Sequence, residues 1–89
     1  MPAQIFYYVY ILRSLKDGKF YIGFTKDLRR RFKEHNSKMS TSTKSRVPFT
    51  LVYYEAYLHS EDAKEREKFL KSGWGRNYIK KSLKHYLNQ

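Results

Sequence analysis

The sequence has no cysteine, only four glycines and two prolines in 89 residues, and no long run of apolar side chains. Without cysteine the chain forms neither disulfide bonds nor thiolate metal sites, so the core alone must stabilise a small fold. No apolar stretch is long enough to span a bilayer or to form the hydrophobic part of a signal peptide. We therefore expect a protein that does not cross a membrane and that lies inside the cell, in the cytoplasm.

Acidic residues are also scarce, because eight aspartates and glutamates stand against 19 lysines and arginines, a formal net charge of +11. So basic a balance is typical of proteins that bind nucleic acids or anionic membranes, and the lack of a membrane segment favours nucleic acid. Aromatic residues make up 18% of the chain and include nine tyrosines, which give a short chain large areas to bury. We expect one domain over residues 1–89.

Two segments near the start of the chain, residues 5–13 and 19–24, are rich in β-forming side chains and flank a loop that contains Asp17-Gly18. This pattern predicts a β-hairpin whose side chains alternate between two faces. One face carries tyrosines and a glycine: Tyr8, Tyr10, Tyr21 and Gly23. The other face is aliphatic and aromatic and suits packing under a helix: Ile5, Val9, Ile11, Phe20, Ile22 and Phe24.

A first helix is predicted from an Asp27 N-cap to about residue 36. Its inward positions follow the spacing i, i+3, i+4 and i+7: Leu28, Arg31, Phe32 and His35. A guanidinium and an imidazole at positions that should be apolar are costly unless they have partners or line a site that faces an acidic group. The polar, basic segment 37–48 follows as a solvated loop, and we expect its cations to contact phosphates without reading bases. These cations are Lys38, Lys44 and Arg46.

The second half of the sequence predicts a strand over residues 49–57 and a helix with Ser60 as its N-cap. In this helix Glu67 shares the inward stripe with Ala63 and Leu70, so a carboxylate again lies where an apolar residue is expected. Gly73-Trp74-Gly75 is expected to break the helix, and a third helix follows with an apolar stripe of Ile79, Leu83, Tyr86 and Leu87. The order β-β-α-β-α-α predicts an α/β (α+β) fold with a small mixed or antiparallel three-stranded sheet flanked by three helices.

The ordered set Tyr8-Val9-Tyr10, Tyr21-Ile22-Gly23 and a helix with Arg31 and His35 resembles the GIY-YIG nuclease family over most of the chain. The glutamate of the family's later helix falls on Glu67. Tyr8 departs from the pattern, because the family name has glycine there. The chain looks like a small standalone member, similar to the catalytic module of the excision-repair incision subunit, and the resemblance implies a role in DNA repair.

The resemblance implies a metal-dependent endonuclease that hydrolyses phosphodiester bonds in DNA. It makes Glu67 the ligand of a magnesium or manganese ion, and Arg31 the group that stabilises charge on the phosphate oxygens. Tyr10 and Tyr21 are both candidates for the general base. His35 either orients a phenol or relays a proton.

Other interpretations of these residues stay open at this point. Asn77 is a further site candidate by resemblance, although an asparagine near a helix start is more often a cap. Glu67 is also a suitable salt-bridge partner for Arg31 or Lys71 in a purely structural network. The alternative function is a catalytically weak or inactive nucleic-acid-binding module derived from the nuclease fold. RNA is not excluded as the substrate, and a protein partner for targeting is compatible with the lack of a second domain.

Overall fold

The computed structural model describes residues 5–89 and contains one three-stranded antiparallel sheet with strand order β2-β1-β3. The strands are β1 (Tyr7–Ser14), β2 (Phe20–Thr25) and β3 (Phe49–Tyr57). The helices are α1 (Leu28–Asn36), α2 (Ser60–Leu70), α3 (Gly73–Ser82) and α4 (Lys84–Leu87), and one 3₁₀ turn covers Lys44–Arg46. The predicted fold class and the order β-β-α-β-α-α are confirmed, with the last helical region divided into α3 and α4.

The central strand β1 is buried on both faces, and each face contacts different helices. Val9 and Ile11 pack with Ala63, Leu70 and Ile79, which belong to α2 and α3. Side chains of the opposite face form a second cluster: Tyr10, Leu12 and Phe49, with Tyr21, Leu28 and Phe32 packed against them. The predicted division of the hairpin into an aliphatic and a tyrosine face is therefore correct. The tyrosine face is covered by α1, which carries the anomalous polar stripe.

Three local predictions need correction. Ile5 was expected on the aliphatic face, but it precedes β1 and is 67% exposed. The N-cap of α2 is His59, whose imidazole accepts a hydrogen bond from the backbone N–H of Glu61, and Ser60 is already helical. Helix boundaries shift by a residue in this way when two neighbouring side chains can both cap.

The third correction concerns the glycines after α2. The chain turns at Ser72, which caps the next helix through the backbone N–H of Gly75, so Gly73-Trp74-Gly75 is the first turn of α3 rather than a break. A Cβ at Gly75 would overlap the backbone at the end of α2. Glycine there lets the two helices meet closely. The longest helix, α2, has 11 residues, and in the described part of the chain no helix is long and apolar enough to cross a membrane.

Candidate active site

Tyr10 lies on the central strand with a side chain that is 1% exposed, and its ring covers Gly23 on the edge strand β2. A Cβ at position 23 would overlap the Tyr10 phenol, so any larger residue there would displace the ring. Tyr21, two residues earlier on the same strand, lies on the same face, with its ring centroid 6.5 Å from that of Tyr10. The glycine of Tyr21-Ile22-Gly23 thus makes room for the tyrosine of the preceding strand.

His35 connects the Tyr10 phenol to the loop after α1. Its Nε2 is hydrogen-bonded to the Tyr10 hydroxyl at 2.8 Å and its Nδ1 to Thr43 Oγ1 at 2.7 Å. Burial, together with the nearby charge of Arg31, lowers the pKa of His35 to about 4, so the imidazole is neutral at physiological pH. A neutral imidazole has one N–H and one lone pair, and each meets a hydroxyl here. The imidazole is therefore hydrogen-bonded on both sides, to the Tyr10 phenol and to the loop.

Tyr10 itself is held in its protonated form. Burial, which outweighs the opposing effect of Arg31, raises the pKa of Tyr10 to about 12, and the charge of Glu67 adds to the increase. At physiological pH a phenol with this pKa keeps its proton, so the phenolate that could accept a proton from water is scarcely populated. The environment of Tyr10 suits a fixed hydrogen-bonding group better than a general base.

Arg31 projects from α1 with a third of its side chain exposed. Its Nη1 donates to Glu34 Oε1 at 3.1 Å, and its Nη2 donates to Ser40 Oγ at 3.3 Å. These two acceptors hold the planar guanidinium in place beside Tyr10. Ser40 is in turn hydrogen-bonded to Ser42 at 3.2 Å.

The loop after α1 is exposed over most of its length, as the sequence predicted, but part of it is packed against the site. Thr43 is fully buried, Ser40 is 6% exposed, and Ser42 Oγ lies 3.5 Å from the Tyr21 hydroxyl. Serine and threonine in a polar segment give no periodic pattern, so sequence reasoning missed all three residues. The Thr43 hydroxyl supports His35, and the hydroxyls of Ser40 and Ser42 connect Arg31 to Tyr21.

Glu67 lies on α2, near enough for its charge to act on the Tyr10 phenol. It is ion-paired with Lys71 through Oε2 at 3.0 Å, and its side chain is 22% exposed. Of the two salt-bridge partners that the sequence suggested for Glu67, it pairs with Lys71, whereas Arg31 pairs with Glu34. Within residues 5–89, no group of three or more histidine, aspartate or glutamate side chains is arranged to hold a metal. One carboxylate fits a magnesium or manganese ion that keeps most of its waters and binds a substrate phosphate, since such ions need few protein ligands.

The remaining predicted residues lie elsewhere. Lys38, in a left-handed conformation with φ 63°, and Lys44 are exposed on the loop. Arg46 forms a salt bridge with Asp17, in which Nε donates to Oδ2 at 2.8 Å. This salt bridge connects the loop to the β1–β2 turn. Their contacts with phosphate stay a prediction. Asn77 is on the exposed side of α3, where it lines a separate concavity rather than the Tyr10 cluster.

A groove of 610 Å³ begins at Tyr21 and runs between β2 and α3. Its described lining contains four cations and no carboxylate: Lys19, Lys71, Arg76 and Lys80. These residues were missed as a group because single lysines and arginines in a chain this basic are not diagnostic. The groove presents a positive surface of the kind that binds a polyanion next to the cluster of Tyr10, Arg31 and Glu67.

Residues 6–82 match the model of the GIY-YIG catalytic domain. A UPF0213 protein of Streptococcus pneumoniae is 42% identical over 65 residues, 72% of this chain and 65% of the relative, so the chain spans just under two thirds of that protein. A UPF0213 protein of Limosilactobacillus reuteri is 35% identical over 82 residues, 89% of this chain and 84% of the relative. The solution NMR structure of a UPF0213 protein from Bacillus halodurans has a TM-score of 0.52 and 38% identity, and the match covers 84% of this chain and 82% of that one. The chain belongs to the GIY-YIG nuclease family.

Proposed function

We propose that this protein is an endonuclease that hydrolyses phosphodiester bonds in DNA with the aid of a divalent cation, magnesium or manganese. The observation that carries the proposal is that Tyr21 and Arg31 adjoin the hydrogen-bonded Tyr10–His35 pair, within reach of the charge of Glu67. The three groups come from β2, α1 and α2, and the cationic groove begins beside them. A phenol, a fixed guanidinium and a carboxylate next to a positive groove suit a phosphodiester substrate.

Arg31 is the proposed binder of the non-bridging phosphate oxygens. The planar fork of arginine matches two oxygens at once, and charge on these oxygens grows in the transition state. Glu34 and Ser40 already fix the guanidinium in the free protein, so little reorganisation is needed when the phosphate arrives. The side chain keeps enough exposure to meet a substrate.

Tyr21 is the proposed general base. Tyr21 lines the groove, and its hydroxyl has Ser42 as a distant neighbour at 3.5 Å, whereas the Tyr10 hydroxyl is hydrogen-bonded to His35 at 2.8 Å. Tyr10, His35 and Thr43 then form a supporting chain that keeps the cluster in place. In this assignment His35 is a positioning residue and carries no proton in the reaction.

Glu67 is the proposed ligand of the cation. When bound, a divalent cation neutralises charge on the phosphate and makes a coordinated water more acidic. Glu67 would bind the cation through its carboxylate. Lys71 pairs with that carboxylate in the free protein, so its ammonium group must turn away before the cation binds. Lys71 is 54% exposed, so its side chain reaches solvent without disturbing the core.

The deciding experiment incubates the purified protein with supercoiled DNA in magnesium, manganese or chelator, and includes Glu67→Gln. We expect nicking with either cation, none in chelator, and none by Glu67→Gln, while its affinity for DNA stays the same or rises because a negative charge is removed. Glu61→Gln is the matched control, because Glu61 lies on the same helix and also pairs with a lysine, Lys64.

Failure of the wild-type protein to cut DNA under any of these conditions would reject the endonuclease proposal. With affinity for DNA retained, that result favours the alternative of a nucleic-acid-binding module. Cleavage by Glu67→Gln at the rate of Glu61→Gln would instead reject Glu67 as the ligand of the cation. Cleavage of RNA alone, tested in parallel, would reassign the substrate.

A further inference from the structure

An aromatic concavity lies on α3 and adjoins the groove at Lys80. Trp74, the only tryptophan of the chain, is 80% exposed there, and Phe69 and Tyr78 are also exposed. Together with Asn77, Lys80 and Lys81 they line a space of 540 Å³. A cluster of large exposed aromatic side chains on a small protein marks a binding surface more often than an accident of folding.

The floor of this concavity is rigidly supported. The Arg66 guanidinium stacks on Tyr78, 4.5 Å from its ring centroid, and on Phe69 at 5.0 Å. Arg66 is fixed in turn by two hydrogen bonds to the carboxylate of Glu55, at 2.9 and 3.1 Å. The hydroxyls of two tyrosines donate to the same carboxylate: Tyr53 and Tyr57. The aromatic rings are therefore held in place before any ligand binds.

Trp74 is also positioned by the backbone. Its neighbour Gly75 allows α3 to start in close contact with the end of α2, where a Cβ would overlap backbone atoms. This junction fixes the first turn of α3, which presents the indole to solvent. The exposed indole thus projects from a fixed backbone position at the concavity that Tyr78 also lines.

The charge around the concavity identifies the kind of partner. Lys80 lines both the concavity and the groove that begins at Tyr21, so the two are neighbours across one side chain. Lys81 adds a second cation, and no carboxylate is among the described residues that line the concavity. Aromatic faces beside cations that continue from a phosphate-binding groove are the combination that binds single-stranded nucleic acid.

We propose that this concavity binds an unpaired base of a DNA strand whose backbone occupies the groove, with the base stacked on Trp74 and the adjoining phosphates at Lys80 and Lys81. The inference rests on the DNA substrate of the proposed function but not on cleavage. Bases in a duplex are stacked on one another and leave no free face, so the site selects DNA with a single-stranded segment, such as a branch, flap or bubble.

The test measures binding in chelator, where cleavage plays no part. Because the chain has one tryptophan, its fluorescence reports on the concavity directly. We expect a thymidine-rich single strand to quench it and a duplex of matched length to leave it nearly unchanged. In anisotropy titrations with labelled DNA, Trp74→Ala should weaken single-strand binding by about 10- to 100-fold, since stacking of one base on an aromatic ring has this effect. Binding to duplex should change by less than about twofold.

Two variants control for folding. Trp74→Phe keeps an aromatic face and should retain most of the affinity for the single strand. Tyr54→Ala removes an aromatic side chain that is 54% exposed on the opposite face of the sheet, and it should leave the affinity unchanged.

Three outcomes would overturn the assignment. The first is absence of quenching by the single strand, and the second is an equal loss of affinity for duplex and single strand in Trp74→Ala. The third is quenching by RNA of the same sequence at lower concentrations than by the DNA. These outcomes are separable from those of the nuclease test. If the protein cuts DNA but Trp74→Ala has no effect on binding, only the proposal of this base-binding site fails. If the protein cuts nothing but binds single strands through Trp74, the endonuclease proposal fails and the base-binding site stands.

Discussion

The phenol of Tyr10 lies directly over Gly23, its partner across the β1–β2 ladder, and uses the space that a side chain would occupy there. This contact links the two tyrosine motifs of the chain. Because the ring crosses toward the edge strand, its hydroxyl reaches His35, 25 residues along the chain from Tyr10. The whole hydrogen-bonded cluster therefore depends on the absence of one methyl group.

Gly23→Ala is expected to destabilise the protein and to impair cleavage, because the new Cβ must push the buried ring away from His35. Overpacking of this kind typically costs about 1–3 kcal/mol, which chemical denaturation measures. Gly73→Ala is the control, since nothing lies within 4 Å of a Cβ at that position in the first turn of α3. It should leave stability unchanged or slightly raised. Equal effects of the two substitutions would show that the Tyr10 ring is not confined.

Arg31→Ala should reduce cleavage at least about 100-fold, because it removes the group proposed to stabilise charge on the phosphate. The free energy of unfolding should change by less than about 1 kcal/mol, since the ion pair with Glu34 is partly exposed. Arg30→Ala is a matched control: it breaks the other ion pair of Glu34, 3.2 Å long, on a side chain that is 76% exposed. A comparable loss of cleavage in Arg30→Ala would argue for a general charge effect.

The two tyrosines should respond differently to loss of their hydroxyls. Tyr21→Phe should lower the cleavage rate by about 10²–10⁴-fold without a large change in stability, as expected for a general base. Tyr10→Phe leaves a buried nitrogen of His35 without its partner, so it should cost about 1–3 kcal/mol in stability and reduce the rate less. Denaturation curves and single-turnover rates on the same samples separate these effects. The reverse order of rates would make Tyr10 the base.

Much of the fold could be predicted from short-range patterns. Alternation of side chains defined the two faces of the hairpin, because a strand period of two leaves no other arrangement once the turn is placed. Asp27 was recognisable as an N-cap, and its carboxylate does accept a hydrogen bond from the backbone N–H of Arg30. Arg31 and His35 were recognisable as site candidates because they occupy inward positions of α1, where a charged or polar side chain needs a compensating partner.

The loop 37–48 could not be predicted in the same way, because its order depends on contacts between distant parts of the chain. Arg46 pairs with Asp17 across 29 residues, and its carbonyl accepts a hydrogen bond from Ser14 Oγ at 2.6 Å. These contacts hold the loop in a position where Thr43 Oγ1 is hydrogen-bonded to His35 Nδ1. Nothing in a run of serines, threonines and lysines specifies such closure, so the sequence suggested a solvated loop and missed the support that the loop gives to the site.

The neutral state of His35 should make the stability of the protein depend on pH in a specific window. The pKa of His35 is about 4 in the folded protein and near its ordinary value of 6.5 when unfolded. Between these values the unfolded state binds more protons, so stability is complete above pH 6.5 and falls as the pH decreases toward 4. The full effect is about 3 kcal/mol, and roughly half of it develops between pH 6.5 and about pH 5.

That upper part of the window separates the effect of His35 from that of carboxylates such as Asp17 and Glu34, whose depressed pKa values affect stability only at lower pH. His35→Gln keeps a hydrogen-bonding side chain that does not titrate, so its stability should be lower overall but flat between pH 6.5 and 5. His85→Gln, on the exposed surface of α4, should retain the slope of the wild type. Urea denaturation at closely spaced pH values measures all three proteins. A slope that persists unchanged in His35→Gln would mean that another group causes it and that the pKa of His35 is not lowered by folding, and its role as the neutral link between Tyr10 and Thr43 would fail.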